Sequence, residues 1–167
     1  MNDVAHPGFL LPSRDRLIVT LGVIAGGAIL LAFVHGLASG AVARSSMRNL
    51  WLAVHLVAVL PALPLGAYVL LRRKGDALHR MLGKLWAALM LVAAVSSFGL
   101  RGMTGSLSPI HLLSVVVLVM IPRGIVLARR HRIEAHRRVM SLTYLGLAAA
   151  GLFTLLPGRL LGSWLFS

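Results

Sequence analysis

Long apolar runs separated by short basic segments dominate the pattern along this chain. A membrane-spanning helix needs about 20 predominantly apolar residues. Five runs approach or reach that length, at about residues 17–40, 49–71, 79–100, 109–128 and 139–156. The pattern therefore predicts an all-α, polytopic membrane bundle of about five transmembrane helices. We assign residues 17–167 to this single transmembrane domain and residues 1–16 to a polar, cytoplasmic N-terminal segment.

The composition supports a membrane protein over a soluble one. The 167 residues are 58% hydrophobic and 13% charged, whereas a soluble domain carries about 25% charged residues. The net charge of +13 could indicate nucleic-acid binding, but the cations lie in short segments between apolar runs and form no continuous basic face. We therefore expect anionic lipid headgroups as the partner and no nucleic acid. The chain has no cysteine, which excludes thiolate catalysis and cysteine-ligated clusters.

The distribution of Lys and Arg predicts the orientation. With the N-terminus inside, twelve Lys and Arg lie on the cytoplasmic side and four on the far side. Cytoplasmic loops of membrane proteins are enriched in these residues. We therefore expect an N-in, C-out topology in which the loops after the second and fourth spans are cytoplasmic.

An internal repeat relates the second and third spans to the fourth and fifth. Each unit opens with His-Leu, at His55 and His111, and each leaves its first span on a pair of arginines. Each then shows an acidic residue, an alanine and a His-Arg pair, which begins at His79 and His136. The His-to-His spacings are 24 and 25 residues. The repeat predicts two like-oriented helical hairpins as a functional core, with the first helix peripheral.

This symmetry would place two histidine pairs at opposite faces of the membrane. Histidines at membrane depth are rare and usually functional. Paired imidazoles from facing helices are what a six-coordinate b-type haem requires. We therefore predict that His55 with His111, and His79 with His136, hold one or two haems b. Guanidinium groups near the inner pair would bind haem propionates through charge-assisted hydrogen bonds; they are Arg80, Arg137 and Arg138.

The same residues allow less specific interpretations. His79 and His136 could be ordinary polar residues at helix starts, and any two transmembrane hairpins share apolar runs with basic ends. His35 could compete with His55 or His111 as a ligand. Arg123, inside the fourth span, could reach the interface by snorkelling or lie near an inner cofactor or a quinone headgroup.

Three functional hypotheses follow from these features. The first is transmembrane electron transfer by a small b-type cytochrome-like protein, a possible membrane oxidoreductase or electron carrier. The second is a cofactor-free accessory subunit of a larger respiratory or photosynthetic membrane complex, which fits the short loops. A small transporter is disfavoured, because the four acidic residues lie outside the spans and leave no carboxylate for a proton relay.

Three stretches resemble a family of bacterial predicted membrane proteins, domain of unknown function 2306: ALHRMLGKLW, SPIHLLSVVVL and AHRRVMSLTYLGLAAAGLFTLLPGR. That resemblance implies a membrane fold, a bacterial inner (cytoplasmic) membrane location and almost nothing about activity. The four-histidine layout also resembles the cytochrome b-561 type, in which ligands on the second and fourth helices, and on the third and fifth, hold two haems. That resemblance implies the same pairing as the repeat. The shorter helices, the tighter first spacing and the five spans depart from it.

Overall fold

The structure is a computed structural model that describes residues 13–43, 50–100, 110–157, 159 and 161–163. Five long α-helices make up most of it. They are α1, Ser13–Ala38; α2, Leu50–Leu71; α3, Ala77–Ser97; α4, Ile110–Arg129; and α5, Ile133–Thr154. The prediction of an all-helical membrane bundle is confirmed. Residues 1–12 of the predicted N-terminal segment and residue 109, where the fourth predicted span begins, lie outside the described residues.

Four helices are long and apolar enough to cross a membrane. The segments are Arg16–Ala38, Leu50–Leu71, Ala77–Ser97 and His111–Arg129. Helix α5 has 22 residues but is the least apolar of the five, because its first turns carry Glu134, Arg137 and Arg138. A crossing by α5 therefore stays a prediction, as do the N-in orientation and the exact number of spans.

The exposed surface of the bundle is apolar on every helix. Large hydrophobic side chains point outward, such as Leu31 of α1 at 64% exposure and Val57 of α2 at 72%. Leu85, Leu112 and Leu142 do the same on α3, α4 and α5. Soluble monomers rarely expose continuous apolar surface of this kind. The outward-facing residues therefore suit contact with lipid chains.

The helices form a four-membered ring with one helix outside it. Helices α2, α3, α4 and α5 each pack against the next, and α5 closes on α2. Helix α1 packs against both α2 and α5, which agrees with the expected peripheral position of the first span. In this ring α2 faces α4 and α3 faces α5. The repeat hairpins α2–α3 and α4–α5 thus form the ring by themselves.

Tyr144 of α5 lies at the centre of the packing and is fully buried. Its ring fills the space over two glycines: a methyl group at Gly22 of α1 or at Gly66 of α2 would overlap it. The indole of Trp86 on α3 borders the same space and donates a hydrogen bond of 3.0 Å to the Ala62 carbonyl of α2. Small residues let neighbouring helices approach closely in membranes. These contacts join α1, α2, α3 and α5.

The two hairpin loops differ in structure, although their sequences repeat. In the first loop a side chain caps the start of α3, and in the second loop the backbone closes the end of α4. Asp76 is the N-cap of α3, and its side chain accepts a hydrogen bond from the His79 backbone. The second loop closes α4 with a left-handed His131, φ 56°. The Arg132 backbone N–H donates to Leu127 at 2.9 Å, the pattern of a Schellman motif. The left-handed residue of a Schellman motif, here His131, is usually glycine.

Candidate functional site

Two polar clusters lie near opposite ends of the ring. The basic end carries the loops 72–76 and 130–132, and the far end is the opposite one. We call the histidines His79 and His136 the basic-end pair. The far-end cluster consists of His55 on α2, Ser96 and Ser97 on α3, and His111 and Ser114 on α4. From His79 to Ser96 is 17 residues of α3, or about 25 Å at 1.5 Å per residue.

His55 is held by the last turns of α3. Its Nδ1 lies 2.9 Å from the Ala93 carbonyl oxygen and 3.2 Å from the Ser96 hydroxyl. A carbonyl oxygen can only accept a hydrogen bond, so Nδ1 carries the proton. In a neutral imidazole the other nitrogen is then an acceptor. Nε2 of the partly buried His55 therefore presents a lone pair, to which the described residues supply no donor.

His111 is held by the same helix but through its other nitrogen. Its Nε2 donates to the Ser97 carbonyl at 3.0 Å, and its ring lies 5.9 Å from that of Phe98. The side chain is buried, with 5% exposure. His55 and His111 thus bond to carbonyls one turn apart on α3, so both lie at the far end of the bundle. The two rings adopt opposite tautomers.

Three serines complete the far-end cluster. Ser96 and Ser97 donate to the carbonyls of Ala93 and Ala94, at 3.1 and 2.7 Å. Because the Ser97 proton is used in this way, Ser114 is the donor in the 2.6 Å contact between the Ser97 and Ser114 hydroxyls. The sequence analysis missed these serines. Their signal was a Ser-Ser pair at the end of an apolar helix, where such hydroxyls commonly bond across helices.

The basic-end pair comes from the first turns of the facing helices α3 and α5. His136 donates from Nδ1 to the Gly124 carbonyl of α4 at 2.8 Å, which in the neutral imidazole leaves Nε2 as the unprotonated nitrogen. The Nδ1 of His79 is buried and has no hydrogen-bond partner among the described residues. The two imidazoles are near enough to interact electrostatically. Both rings therefore lie at the basic end of the ring of helices.

An ion pair supports the start of α3 beside His79. The Arg72 guanidinium lies 2.5 Å from the Asp76 carboxylate and donates a second hydrogen bond, of 3.2 Å, to the Tyr68 hydroxyl. The hydrogen bond from the His79 backbone, with Arg72 beside it, lowers the pKa of Asp76 below its usual range. The Nε of Arg72 is buried without a partner among the described residues.

The three arginines predicted to hold propionates lie at the basic end but already have partners. Arg80 donates to the Gly75 carbonyl at 2.5 Å. Arg137 and Arg138 contact Glu134 at 3.7 and 3.6 Å. Exposed ion pairs of this kind contribute little energy, so these side chains could exchange Glu134 for another anion at small cost.

The two remaining candidates are exposed. His35 is exposed near the end of α1, and Arg123 is exposed on α4. Among the described residues no group of three or more His, Asp or Glu side chains could hold a metal ion. A bis-histidine site needs only two protein ligands, so that observation leaves the haem prediction untested.

Comparison with known proteins yields one match. The model of the predicted membrane protein family DUF2306 matches residues 52–162, which span the ring α2–α5 and leave α1 outside. No curated protein and no solved structure matches the chain.

Proposed function

This chain belongs to the DUF2306 family of predicted membrane proteins, and from that premise we propose that it is a membrane electron carrier with a b-type haem held by the basic-end pair. The arrangement of the ring supports this proposal. His79 and His136 project from α3 and α5, which face each other and are not sequential neighbours. Imidazoles from two such facing helices would hold one haem between them.

The hydrogen bonding of His136 is the single observation that carries the proposal. Histidines that ligate metals usually donate their other ring N–H to a backbone carbonyl or a carboxylate, which fixes the tautomer and the ring orientation. His136 does so with the Gly124 carbonyl at 2.8 Å. Its Nε2 is thereby prepared as a ligand. His79, whose Nδ1 lacks a partner among the described residues, would supply the second axial nitrogen. Haem b would supply one-electron redox chemistry.

The far-end cluster fits a haem less well. His55 has the same arrangement as His136, with Nδ1 bonded to a carbonyl. His111, however, uses Nε2 for its bond to Ser97, and ligation through that nitrogen would require this buried bond to break. We therefore propose one haem, at the basic end, as the minimum.

Replacement of the ligands tests the haem proposal. His79→Ala and His136→Ala should each abolish the α-band of a b-type cytochrome in the reduced-minus-oxidised spectrum of the purified protein. His35→Ala and His131→Ala are matched controls, because both histidines are exposed, and they should leave the band unchanged. Wild-type protein from haem-replete cells that lacks the band would contradict the proposal and favour the accessory-subunit hypothesis.

We further propose that the basic end faces the cytoplasm in the bacterial inner membrane, where the loop cations contact anionic lipid headgroups. Because the chain has no cysteine, a single introduced cysteine reports sidedness without background. Lys74→Cys should react with a membrane-impermeant maleimide only in inverted vesicles. Reaction in right-side-out vesicles alone would reverse the proposed orientation.

A further inference from the structure

We propose that the far-end cluster binds the ring of a lipid-soluble hydroquinone, with His55 Nε2 accepting the hydrogen bond of a ring hydroxyl. The inference rests on the proposed electron-transfer function for the class of ligand. The position and chemistry of the site come from the far-end cluster itself.

The hydrogen bonds inside the cluster leave Nε2 of His55 available as an acceptor for a ligand. The hydroxyls of Ser96 and Ser97 donate to backbone carbonyls of α3, and Ser114 donates to Ser97. His111 donates to the Ser97 carbonyl. The Nδ1–H of His55 is used on Ala93. What remains on His55 is the Nε2 lone pair, which the described residues do not use.

The location limits what can supply the missing donor. His55 lies within the candidate span Leu50–Leu71, five residues from its start, or roughly 8 Å along the helix. An imidazole nitrogen without a partner is costly in an apolar medium. A molecule that reaches it from the lipid must be apolar overall and must carry a hydrogen-bond donor, such as a hydroxyl.

Aromatic side chains near the cluster favour a planar ring over an aliphatic alcohol. Trp51 lies four residues before His55, about one helical turn, and its indole packs over Gly99, where a methyl group would overlap it. The Phe98 ring contacts His111. Aromatic rings pair favourably with one another in offset or edge-to-face geometry. A hydroquinone ring satisfies both requirements, because it is planar and carries hydroxyl donors.

Binding of decylubiquinol tests the proposal without reference to turnover. The protein is placed in phosphatidylcholine nanodiscs, reduced with dithionite so that the ligand cannot be oxidised, and titrated while tryptophan fluorescence is recorded. The difference between wild type and Trp51→Phe isolates the quenching of Trp51. We expect saturable quenching by decylubiquinol. Its dimethyl ether, which has the same ring and tail but no hydroxyl donor, should bind roughly threefold to tenfold more weakly, the effect of one hydrogen bond.

Two substitutions of His55 separate binding from packing. The amide nitrogen of His55→Asn can replace Nδ1 as the donor to Ala93 but provides nothing at the Nε2 position, so the fold should persist and decylubiquinol should bind roughly threefold to tenfold more weakly. His55→Gln restores a polar atom near Nε2 and should recover part of the affinity. His35→Asn, an exposed histidine on α1, should change nothing.

Three results would overturn the proposal: equal affinity for decylubiquinol and its dimethyl ether, unchanged affinity in His55→Asn, or equal quenching by decanol. The first comparison uses wild-type protein only, so it holds even if a variant fails to fold. Loss of haem in His79→Ala tests the electron-transfer proposal separately. That variant should still bind decylubiquinol, because its substitution lies about 25 Å along α3 from the far-end cluster.

Discussion

The buried hydroxyl of Tyr144 predicts an unusual result: removal of a polar atom should stabilise the protein. Tyr144 is 0% exposed, and its hydroxyl has no hydrogen-bond partner among the described residues. The oxygen faces Gly22 of α1, while the ring edge lies against Gly66 of α2. Tyr144→Phe retains the ring and its packing and deletes only the unpaired group.

The magnitude follows from two opposing effects. An unsatisfied buried hydroxyl costs about 1–3 kcal/mol. The cavity left by one oxygen costs a few tenths of a kcal/mol, at about 24 cal/mol per Å³. We therefore expect Tyr144→Phe to raise the free energy of unfolding by about 1–2 kcal/mol. The unfolding transition in SDS–detergent mixed micelles, followed by circular dichroism, measures this change.

The other tyrosine of the chain provides a matched control. Tyr68 is 50% exposed, and its hydroxyl accepts a 3.2 Å hydrogen bond from Arg72. Tyr68→Phe removes a satisfied group and should leave stability unchanged or slightly lower. A destabilised Tyr144→Phe beside a neutral Tyr68→Phe would refute the reasoning, since it would mean that the Tyr144 hydroxyl is satisfied in the membrane.

Three further predictions concern the loops and the packing. His131→Gly should raise the free energy of unfolding by about 1 kcal/mol, because φ 56° is a left-handed conformation that costs non-glycine residues roughly 1–2 kcal/mol; lower stability in the same SDS titration would contradict this. Asp76→Ala should destabilise the start of α3. Because the pKa of Asp76 is lowered in the fold, its contribution to stability is present above the unfolded-state pKa and is lost as pH falls through the folded-state pKa. The free energies of unfolding of wild type and Asp76→Ala should therefore converge at low pH. A difference between them that stays constant with pH would contradict this. Gly66→Ala should cost about 1–3 kcal/mol by overpacking, because its methyl group would meet the Trp86 indole nitrogen at 2.5 Å and the Tyr144 ring at 2.7 Å; an unchanged unfolding midpoint would show that the rings can shift.

The helices could be predicted from sequence because apolar runs and basic loops mark their positions. Helix α5 was the exception: its predicted span starts at residue 139, whereas the helix starts at Ile133. Apolarity locates the part of a helix that lipid can cover. The backbone hydrogen bonds of α5 continue through Glu134, Arg137 and Arg138. These residues are compatible with a helix, and their long side chains can reach water at its end.

The histidines of the candidate site were also visible in the sequence, since imidazoles are rare in apolar runs. Their hydrogen bonds were not. The repeat predicts equivalent roles for His55 and His111. The two rings nevertheless bond to α3 through different nitrogens, Nδ1 in His55 and Nε2 in His111. The repeat likewise matches Asp76 with Glu134, but the first caps a helix while the second pairs with arginines within its own helix. Such differences depend on how each loop closes and on which carbonyl each ring reaches.

The haem content of the wild-type protein tests the central claim most directly. Protein purified in mild detergent from haem-replete cells would be assayed for pyridine haemochrome per chain, and the oxidised sample would be examined by low-temperature electron paramagnetic resonance. Ligation by His79 and His136 predicts at least one haem b per chain with a low-spin ferric signal typical of two imidazole ligands. Protein without haem, or with only a high-spin signal, would contradict the proposed site.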